Sequence, residues 1–462
     1  MATFEIKVWN PVNQEERVMV YDSSVSTLKW QDGTHILNGT VTSPPVDEPA
    51  KIEHSKKGLK TIKVQLGLSC NFECDYCSQR FVPHADSTNP DDVLPFVQNM
   101  STWYQGGDDG QGLGTHFEFW GGEPFVYWKT MKPLVEAIVE KYPNSTRSVI
   151  TNGSLLDMDK IEWLNKHGFW IGFSHDGPGQ HVRGPDPLED EKSKEAILQA
   201  YKILAPQNKF SFNAMINNKN VSRGDIESYF LNFIRENLGD EWTKYVCIGE
   251  GGFVDAYDEG GMTNSLQDEE EEIKFRNLAY NELRETKVTR FMAVHDKVKG
   301  FLNGIYSGRR IESLPQKCGM DKSDSMAVDL NGNVLTCQNV SAVSNNPAGV
   351  SHKIGHVSDL EAVRLDTSTH WKDREECPKC PVIHICKGAC MFLSGDLWEA
   401  SCNNAYSDNI VVFATAIESA TGFVPMYIDG PLRQDRKDIF WWVNGKPEKT
   451  RKAKKIIPII AA

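Results

Sequence analysis

The chain has 462 residues, 40% of them hydrophobic and 10% aromatic, and a formal net charge of −13. That size suits two or three domains, or one large domain with an appendage, with ample apolar content for a core. The negative balance argues against a nucleic-acid-binding surface, where phosphates demand clustered Lys and Arg. No run of about 18 apolar residues occurs, so no transmembrane helix and no membrane partner are expected. Met1 to Asn10 alternates polar and apolar residues, unlike a secretion signal. Eleven cysteines without such a signal read as thiolates of a reducing compartment, which points to the cytoplasm.

In chain order, residues 1–57 read as an N-terminal β-hairpin extension and linker. Phe4-Glu5-Ile6-Lys7-Val8-Trp9 and Arg17-Val18-Met19-Val20-Tyr21 alternate with period two around the turn-prone Asn10-Pro11-Val12-Asn13. A Pro-rich linker, Ser43-Pro44-Pro45 to Pro49, follows. A sheet extension that caps the next region suits this stretch better than a dedicated peptide-binding module. Over residues 58–250 strand and helix alternate. Strand-like runs fall at 62–68, His116–Trp120, Arg147–Thr151, Phe169–Ser174, Phe210–Met215 and Lys244–Ile248. Helical periods fall at 91–104, 128–141, 157–167, 189–204 and 222–237. Six strands with crossover helices predict an α/β fold, a parallel sheet curled into a partial (β/α)6 TIM-like barrel. Its open side admits a large substrate, and its functional groups leave the carboxyl ends of the strands.

Residues 251–314 read as a bridging loop and helices. Gly249 to Gly261 is a loop, and Gln267–Thr286 is an amphipathic helix. Its run Glu269-Glu270-Glu271-Glu272 suits the helix N-terminus and otherwise faces solvent. Residues 315–410 form a cysteine-rich domain. Residues 411–462 hold a C-terminal helix, predicted over Ala405–Thr421, and a tail. The tail carries an aromatic patch, Phe440-Trp441-Trp442-Val443, and a basic stretch, Lys446 to Lys455, with no assigned role.

The chemistry begins at Cys70-x3-Cys74-x2-Cys77, directly after the first predicted strand. Three thiolates on one loop hold three corners of a cubic iron–sulfur cluster and leave one iron open. The competing reading, a zinc knuckle, wants four ligands. After the second strand comes Trp120-Gly121-Gly122-Glu123-Pro124, two glycines for close backbone approach and a carboxylate for an ammonium group. Thr151-Asn152-Gly153 follows the third strand and Ser174-His175-Asp176-Gly177-Pro178 the fourth, with Arg183 beyond. Hydroxyl and amide groups suit ribose hydroxyls, and a guanidinium suits a carboxylate. A second set runs Cys318-x18-Cys337, then Cys377-x2-Cys380-x5-Cys386-x3-Cys390-x11-Cys402, while Cys247 stands alone. A zinc ribbon on Cys377 and Cys380 is the competing reading there.

With Tyr76 just before the third cysteine, the first set resembles the radical S-adenosylmethionine (SAM) enzymes. The second set, with Gly332 five residues before Cys337, resembles the SPASM auxiliary-cluster domain found in those that act on peptides. The resemblance implies a SAM-binding [4Fe–4S] cluster on Cys70, Cys74 and Cys77. It also implies SAM contacts from Tyr76, Gly121, Gly122, Glu123, Asn152, Ser174 and Arg183. Cys377, Cys380, Cys386 and Cys402 would hold one fully ligated auxiliary cluster and Cys318, Cys337 and Cys390 another, three [4Fe–4S] clusters in all. Seven cysteines cannot close two cubes, so the last cluster has a corner for a substrate thiolate, a protein carboxylate or water. The implied activity is that of a peptide (RiPP) maturase, an oxidoreductase forming a thioether or carbon–carbon crosslink in a precursor peptide. Its electrons would come from a donor such as flavodoxin or ferredoxin. Epimerisation, with Cys247 as hydrogen donor or else a buried apolar cysteine, and excision of part of a residue are the alternatives. Formylglycine-type sulfatase maturation is disfavoured, because those enzymes place an aspartate where Gln338 stands. A non-catalytic metal-cluster scaffold is the reading from a different class.

Overall fold

Alternating apolar residues build the first strands: β1 (Thr3–Trp9) buries Phe4, Ile6 and Val8, and β2 (Glu16–Asp22) buries Met19 and Tyr21. The computed structural model describes residues 2–37, 55–83, 88–249, 252–365 and 368–440. The Pro-rich linker Ser43–Pro49, Trp441 to Val443 and the basic stretch Lys446–Lys455 lie outside them. β3 (Thr27–Trp30) pairs with β2, and a C-terminal strand, Val424–Asp429, pairs antiparallel with β1. The expected hairpin is therefore half of a four-stranded sheet whose last strand comes from the other end of the chain.

A second sheet carries the alternating region. It contains β4 (Thr61–Gln65), β5 (His116–Trp120), β6 (Thr146–Thr151), β7 (Trp170–Ser174) and β8 (Phe210–Asn213). From the cysteine-rich region come β9 (Ser325–Asp329), β10 (Asn333–Leu335) and β11 (Lys353–His356). The order is β11-β10-β9-β4-β5-β6-β7-β8, with β9 and β4 to β8 parallel. Helices α1 (Val93–Trp103), α2 (Trp128–Lys141), α3 (Met158–Lys166) and α4 (Glu191–Leu204) make the crossovers, and α5 (Arg223–Leu238) follows β8. Asp157, Asp190 and Ser222 cap α3, α4 and α5 by accepting a backbone N–H three residues on.

The sixth strand predicted at Lys244–Ile248 does not form. Gly239 takes a φ of +103°, and Asp240–Tyr245 winds into a 3-10 helix with no buried residue. The segment touches the sheet at a single bridge between Ile248 and Phe212, and Ile248 bridges Phe291 on its other side. The sixth parallel strand is β9 instead, added at the opposite edge. One face of β4–β7 is apolar, with Ile62, Val64, Phe117 and Phe119 sharing a core with Met131 and Leu134 of α2. The other face is polar. Lys63 pairs with Glu118 at 3.1 Å, Glu118 accepts the Trp120 indole N–H at 2.8 Å, and His116 lies 2.8 Å from the hydroxyls of both Thr146 and Ser148. Parallel strands covered on both faces read apolar throughout; here the polar face lines a cavity of about 560 Å³.

The bridging region holds α6 (Glu259–Thr263), α7 (Glu269–Arg284) and α8 (Met292–Ser307). The Glu run is not solvated throughout: Glu272 is buried and pairs with the fully buried Arg276 at 2.7 Å. After α9 (Ile383–Cys386), α10 spans Gly395–Thr421, ten residues longer at its start than predicted. Its first turns lack an apolar period because buried Ser401, Asn404, Ser407 and Asp408 hydrogen-bond to neighbouring segments. Tyr21 of the first sheet packs edge-on against Phe301 of α8 and Phe413 of α10, so the N-terminal extension rests on those helices. Among the described residues, no helix is long and apolar enough to cross a membrane.

Candidate active site

The loop after β4 and the loop after β5 are joined backbone to backbone. Gly122 N–H donates to Gly67 O and Glu123 N–H to Ser69 O, both at 3.1 Å. A Cβ on Gly122 would lie 2.4 Å from Ser69 O and 2.5 Å from Leu68 O. The second glycine is thus demanded by contact between the loops, an approach the motif had assigned to a ligand. Tyr127 caps the junction, its hydroxyl accepting Ser69 N–H at 2.7 Å.

Glu123 is buried and accepts from Thr151 Oγ1 (2.7 Å), Asn152 N–H (2.7 Å) and Phe125 N–H (3.1 Å). Burial pushes its carboxyl up, against these donors and Arg183. Asn152 donates to Asn71 Oδ1 at 3.0 Å, Asn71 donates to Ser154 Oγ at 2.8 Å, and Ser154 donates back to Asn152 at 2.7 Å. This ring ties the cysteine loop to the loop after β6. Tyr76 donates its hydroxyl proton to Asp176 and accepts from Arg183 Nη1 at 2.9 Å; Asp176 also accepts Met215 N–H at 3.0 Å. Burial acts to lower the Arg183 pKa, but Tyr76, Asp176 and Cys74 outweigh it and hold the guanidinium charged. Arg183 Nε is buried with no hydrogen-bond partner among the described residues, so the guanidinium keeps capacity for a ligand carboxylate.

These groups line one cleft of about 1310 Å³. Cys70, Cys74, Tyr76 and Cys77 stand with Gly121, Gly122, Glu123, Asn152, Ser174 and Arg183, so every residue expected to touch SAM is gathered there. Asp255, Tyr257 and Asn339 also line it, and none of these was singled out from the sequence. Cys247 does not line it. Its carbonyl accepts Phe212 N–H at 2.9 Å, and its thiol is pushed up by burial, opposed by Arg290.

The remaining cysteines fall in two places. Cys377, Cys380, Cys386 and Cys402 line one cavity of about 360 Å³ with Tyr406 and Arg436, whose Nη2 donates to Cys402 Sγ at 3.4 Å. Three successive residues with positive φ, Lys387, Gly388 and Ala389, turn the chain between Cys386 and Cys390. Cys390 thereby leaves that group and joins Cys337 and Cys318, whose charges act on one another. Backbone N–H groups two residues on donate to Cys70, Cys77 and Cys337, each at 3.4 Å, and similarly to Cys318, Cys380 and Cys390. Burial pushes Cys74 and Cys390 up to about 11 and Cys337 and Cys380 up to about 12. Such thiols ionise when a metal compensates the charge. Among the described residues no three His, Cys, Asp or Glu side chains converge on a single ion position. The donors in each set are all cysteine thiols, the protein ligand that suits an iron–sulfur cluster.

The fold defines the class: a mixed α/β arrangement around a parallel sheet, similar to that of solved anSMEcpe structures with bound AdoMet. No protein-family model matches it. It is 22% identical to the radical SAM cyclopropyl synthase TigE of Paramaledivibacter caminithermalis, over 46% of this chain and 48% of that one, so it spans about half that relative's length. It is 24% identical to the cysteine-type anaerobic sulfatase-maturating enzyme of Clostridium perfringens, over 70% of this chain and 85% of that one. The solved structure of native anSMEcpe with bound AdoMet and Cp18Cys peptide matches with a TM-score of 0.53 at 19% identity, covering 78% of this chain and 99% of the other. The chain's homologues are radical SAM enzymes, as its cysteine motifs implied.

Proposed function

We propose that this protein is a radical SAM peptide maturase with one SAM-binding and two auxiliary [4Fe–4S] clusters, forming a thioether or carbon–carbon crosslink in a precursor peptide. One observation carries the reading: a single cleft joins the loop of Cys70, Cys74 and Cys77 to Asp255, Tyr257 and Asn339, which border the set Cys318, Cys337 and Cys390. SAM at a reduced cluster supplies a 5′-deoxyadenosyl radical able to take a hydrogen atom from an unactivated C–H bond. The chain's own residues position that chemistry. Glu123 offers a desolvated carboxylate to the SAM ammonium, and Arg183, anchored by Asp176 and Tyr76, offers a guanidinium to the SAM carboxylate. Asn152, bonded to Asn71, fixes the cysteine loop against the nucleoside side of the cleft. The rest of the cleft wall would face the peptide, and a cluster held by Cys318, Cys337 and Cys390 would supply an acceptor for the product electron. Flavodoxin or ferredoxin would reduce the SAM-binding cluster.

A formylglycine-type oxidation is the second reading. The backbone carbonyl of Gln338 accepts from Gln65 Nε2 at 2.8 Å and its side chain brings no carboxylate, but Asp255 lines the cleft with one. Reconstituted protein should cleave SAM to 5′-deoxyadenosine, and the triple change of Cys70, Cys74 and Cys77 to Ala should abolish this. Coexpression with each short open reading frame beside the gene, read by mass spectrometry, tests the reaction. Loss of a pair of hydrogen atoms with two residues joined supports crosslinking, and an aldehyde supports the second reading. Unchanged mass with deuterium gained at an alpha carbon signals epimerisation. Bound iron with no SAM cleavage would leave only the scaffold reading.

A further inference from the structure

The cavity of Cys377, Cys380, Cys386 and Cys402 receives a cation from the far end of the chain. Arg436 closes the 3-10 turn Gln434–Arg436, which follows the strand Val424–Asp429 paired with β1. It is 4% exposed and lines the cavity beside the four cysteines. Its Nη2 donates to Cys402 Sγ at 3.4 Å and to Asn403 Oδ1 at 2.7 Å. Tyr406 fixes the residue: its hydroxyl donates to Arg436 O at 2.6 Å, and the guanidinium lies 4.9 Å from its ring centre. Among the described residues, Arg436 makes no ion pair, and its buried Nε has no hydrogen-bond partner. A guanidinium out of water with no counter-charge is strongly unfavourable, so the site calls for an anion.

A second unpartnered donor borders the same cavity. Trp398, in the first turn of α10, lines it, and its Nε1 is buried without a partner among the described residues. The Arg374 guanidinium covers the Trp398 ring, 4.7 Å from its centre, and donates to Cys390 O at 3.2 Å and Leu393 O at 2.9 Å. Arg374 itself does not line the cavity. Glu376 does line it but makes no ion pair with Arg436, so the four thiols are what Arg436 meets there.

Resting on the cluster assignment of the proposed function, we propose that Arg436, together with Trp398, hydrogen-bonds to the sulfurs of the cluster on Cys377, Cys380, Cys386 and Cys402 and raises its reduction potential. A cubic cluster on four thiolates is an anion, and reduction adds one further negative charge. The step is the gain of one electron. No bond forms or breaks and no proton moves, since Arg436 stays a cation and Trp398 a neutral donor. A cation and N–H groups against the sulfurs stabilise the reduced form more than the oxidised one, and such hydrogen bonds and charge are what set a cluster's potential. Tuning of this kind makes the fully ligated cluster an electron acceptor as well as a staple of the fold.

The test uses full-length chains reconstituted anaerobically: wild type, a Cys377→Ala/Cys386→Ala double variant, Arg436→Gln, Arg436→Lys, Trp398→Phe and Arg433→Gln. Iron and zinc content, thermal unfolding and EPR poised with a chemical reductant are read. Wild type should hold about twelve irons per chain, and the redox transition missing from the double cysteine variant belongs to this cluster. Arg436→Gln should keep its iron while the equilibrium constant for reduction falls about tenfold, which is about 59 mV for one electron. Arg436→Lys keeps the charge and should stay nearer to wild type, and Trp398→Phe should shift the same way by less. Arg433, paired with Glu399 and Asp435 and outside the cavity, is the control, and Arg433→Gln should keep the wild-type potential. An unchanged potential or lost iron in folded Arg436→Gln, or an equal fall in Arg433→Gln, would overturn the inference with the clusters still standing. If Arg436→Gln does not fold, an unchanged potential in Trp398→Phe overturns it instead. Equal iron in wild type and the double cysteine variant, or zinc in place of iron, would show that the cavity holds no cluster. The cluster reading of the proposed function then fails, and this inference with it.

Discussion

Changing Gly122 to Ala perturbs the junction on which the candidate site depends. The added Cβ would sit 2.4 Å from Ser69 O, 2.5 Å from Leu68 O and 2.5 Å from Ser69 C, all backbone atoms that cannot swing aside. Restoring van der Waals contact requires the two loops to part by roughly 1 Å. That opening stretches the Gly122–Gly67 and Glu123–Ser69 hydrogen bonds, each 3.1 Å. With about 1 kcal/mol for each bond and about 1–2 kcal/mol of packing strain, the variant should lose about 3–4 kcal/mol of stability. Glu123 and the cysteine loop would shift apart by the same distance, and a displacement of about 1 Å in a reacting constellation costs on the order of a hundredfold in rate. Gly121→Ala is the internal control, since its Cβ would lie 3.3 Å from Gly67 O and 3.4 Å from the Tyr127 ring, tight but not overlapping. Urea unfolding, comparing midpoints at constant slope, reads the stability. The rate of 5′-deoxyadenosine formation reads the site. Wild-type midpoint and rate in Gly122→Ala, or equal damage in both variants, would refute the contact between the loops as the reason for the second glycine.

Three further outcomes follow from particular contacts. Asp408 is fully buried, which acts to raise its pKa, but Arg223 and Lys297 outweigh this and hold it at about 2 against an ordinary 3.8. Its depressed value contributes about 2 kcal/mol that is fully present above pH 3.8 and lost as pH falls through about 2. Asp408→Ala, which removes the buried carboxylate that pairs with Arg223 and Lys297, should cost about 3–5 kcal/mol at neutral pH, and urea titrations across that range check both figures. Tyr257→Phe removes the hydroxyl bonded to Cys390 Sγ and should lower the potential of that cluster without loss of iron; an unchanged potential in redox-poised EPR would show that the hydroxyl does not tune it. Cys247→Ser should leave SAM cleavage and peptide modification within about twofold of wild type, since Cys247 does not line the cleft. A selective loss of peptide modification, with 5′-deoxyadenosine still formed, would return Cys247 to the role of hydrogen donor.

Motifs carried by short spacings, and most helices, were legible from the residues alone. Cys70, Cys74 and Cys77 share one loop, and Gly-Gly-Glu-Pro follows a strand, so linear spacing announces them. Helical period over 128–141 and 222–237 falls within one residue of the observed α2 and α5. These features depend on neighbours a few residues away, and backbone geometry converts such spacings directly into faces and loops. Contacts across long separations stayed hidden. The Tyr76–Asp176–Arg183 network joins residues about a hundred positions apart, Val424–Asp429 pairs with β1 from the far end of the chain, and β9 takes the parallel place beside β4. Lys244–Ile248 had a strand's composition, yet the turn at Gly239 and the 3-10 helix after it kept it out of the sheet. Asp255 and Tyr257 carry no motif. They reach the cleft because Asn404 and Ser401 of α10 hold their backbone there, and a side chain placed by a hydrogen bond from a helix some 145 residues away leaves no periodic trace in its own segment.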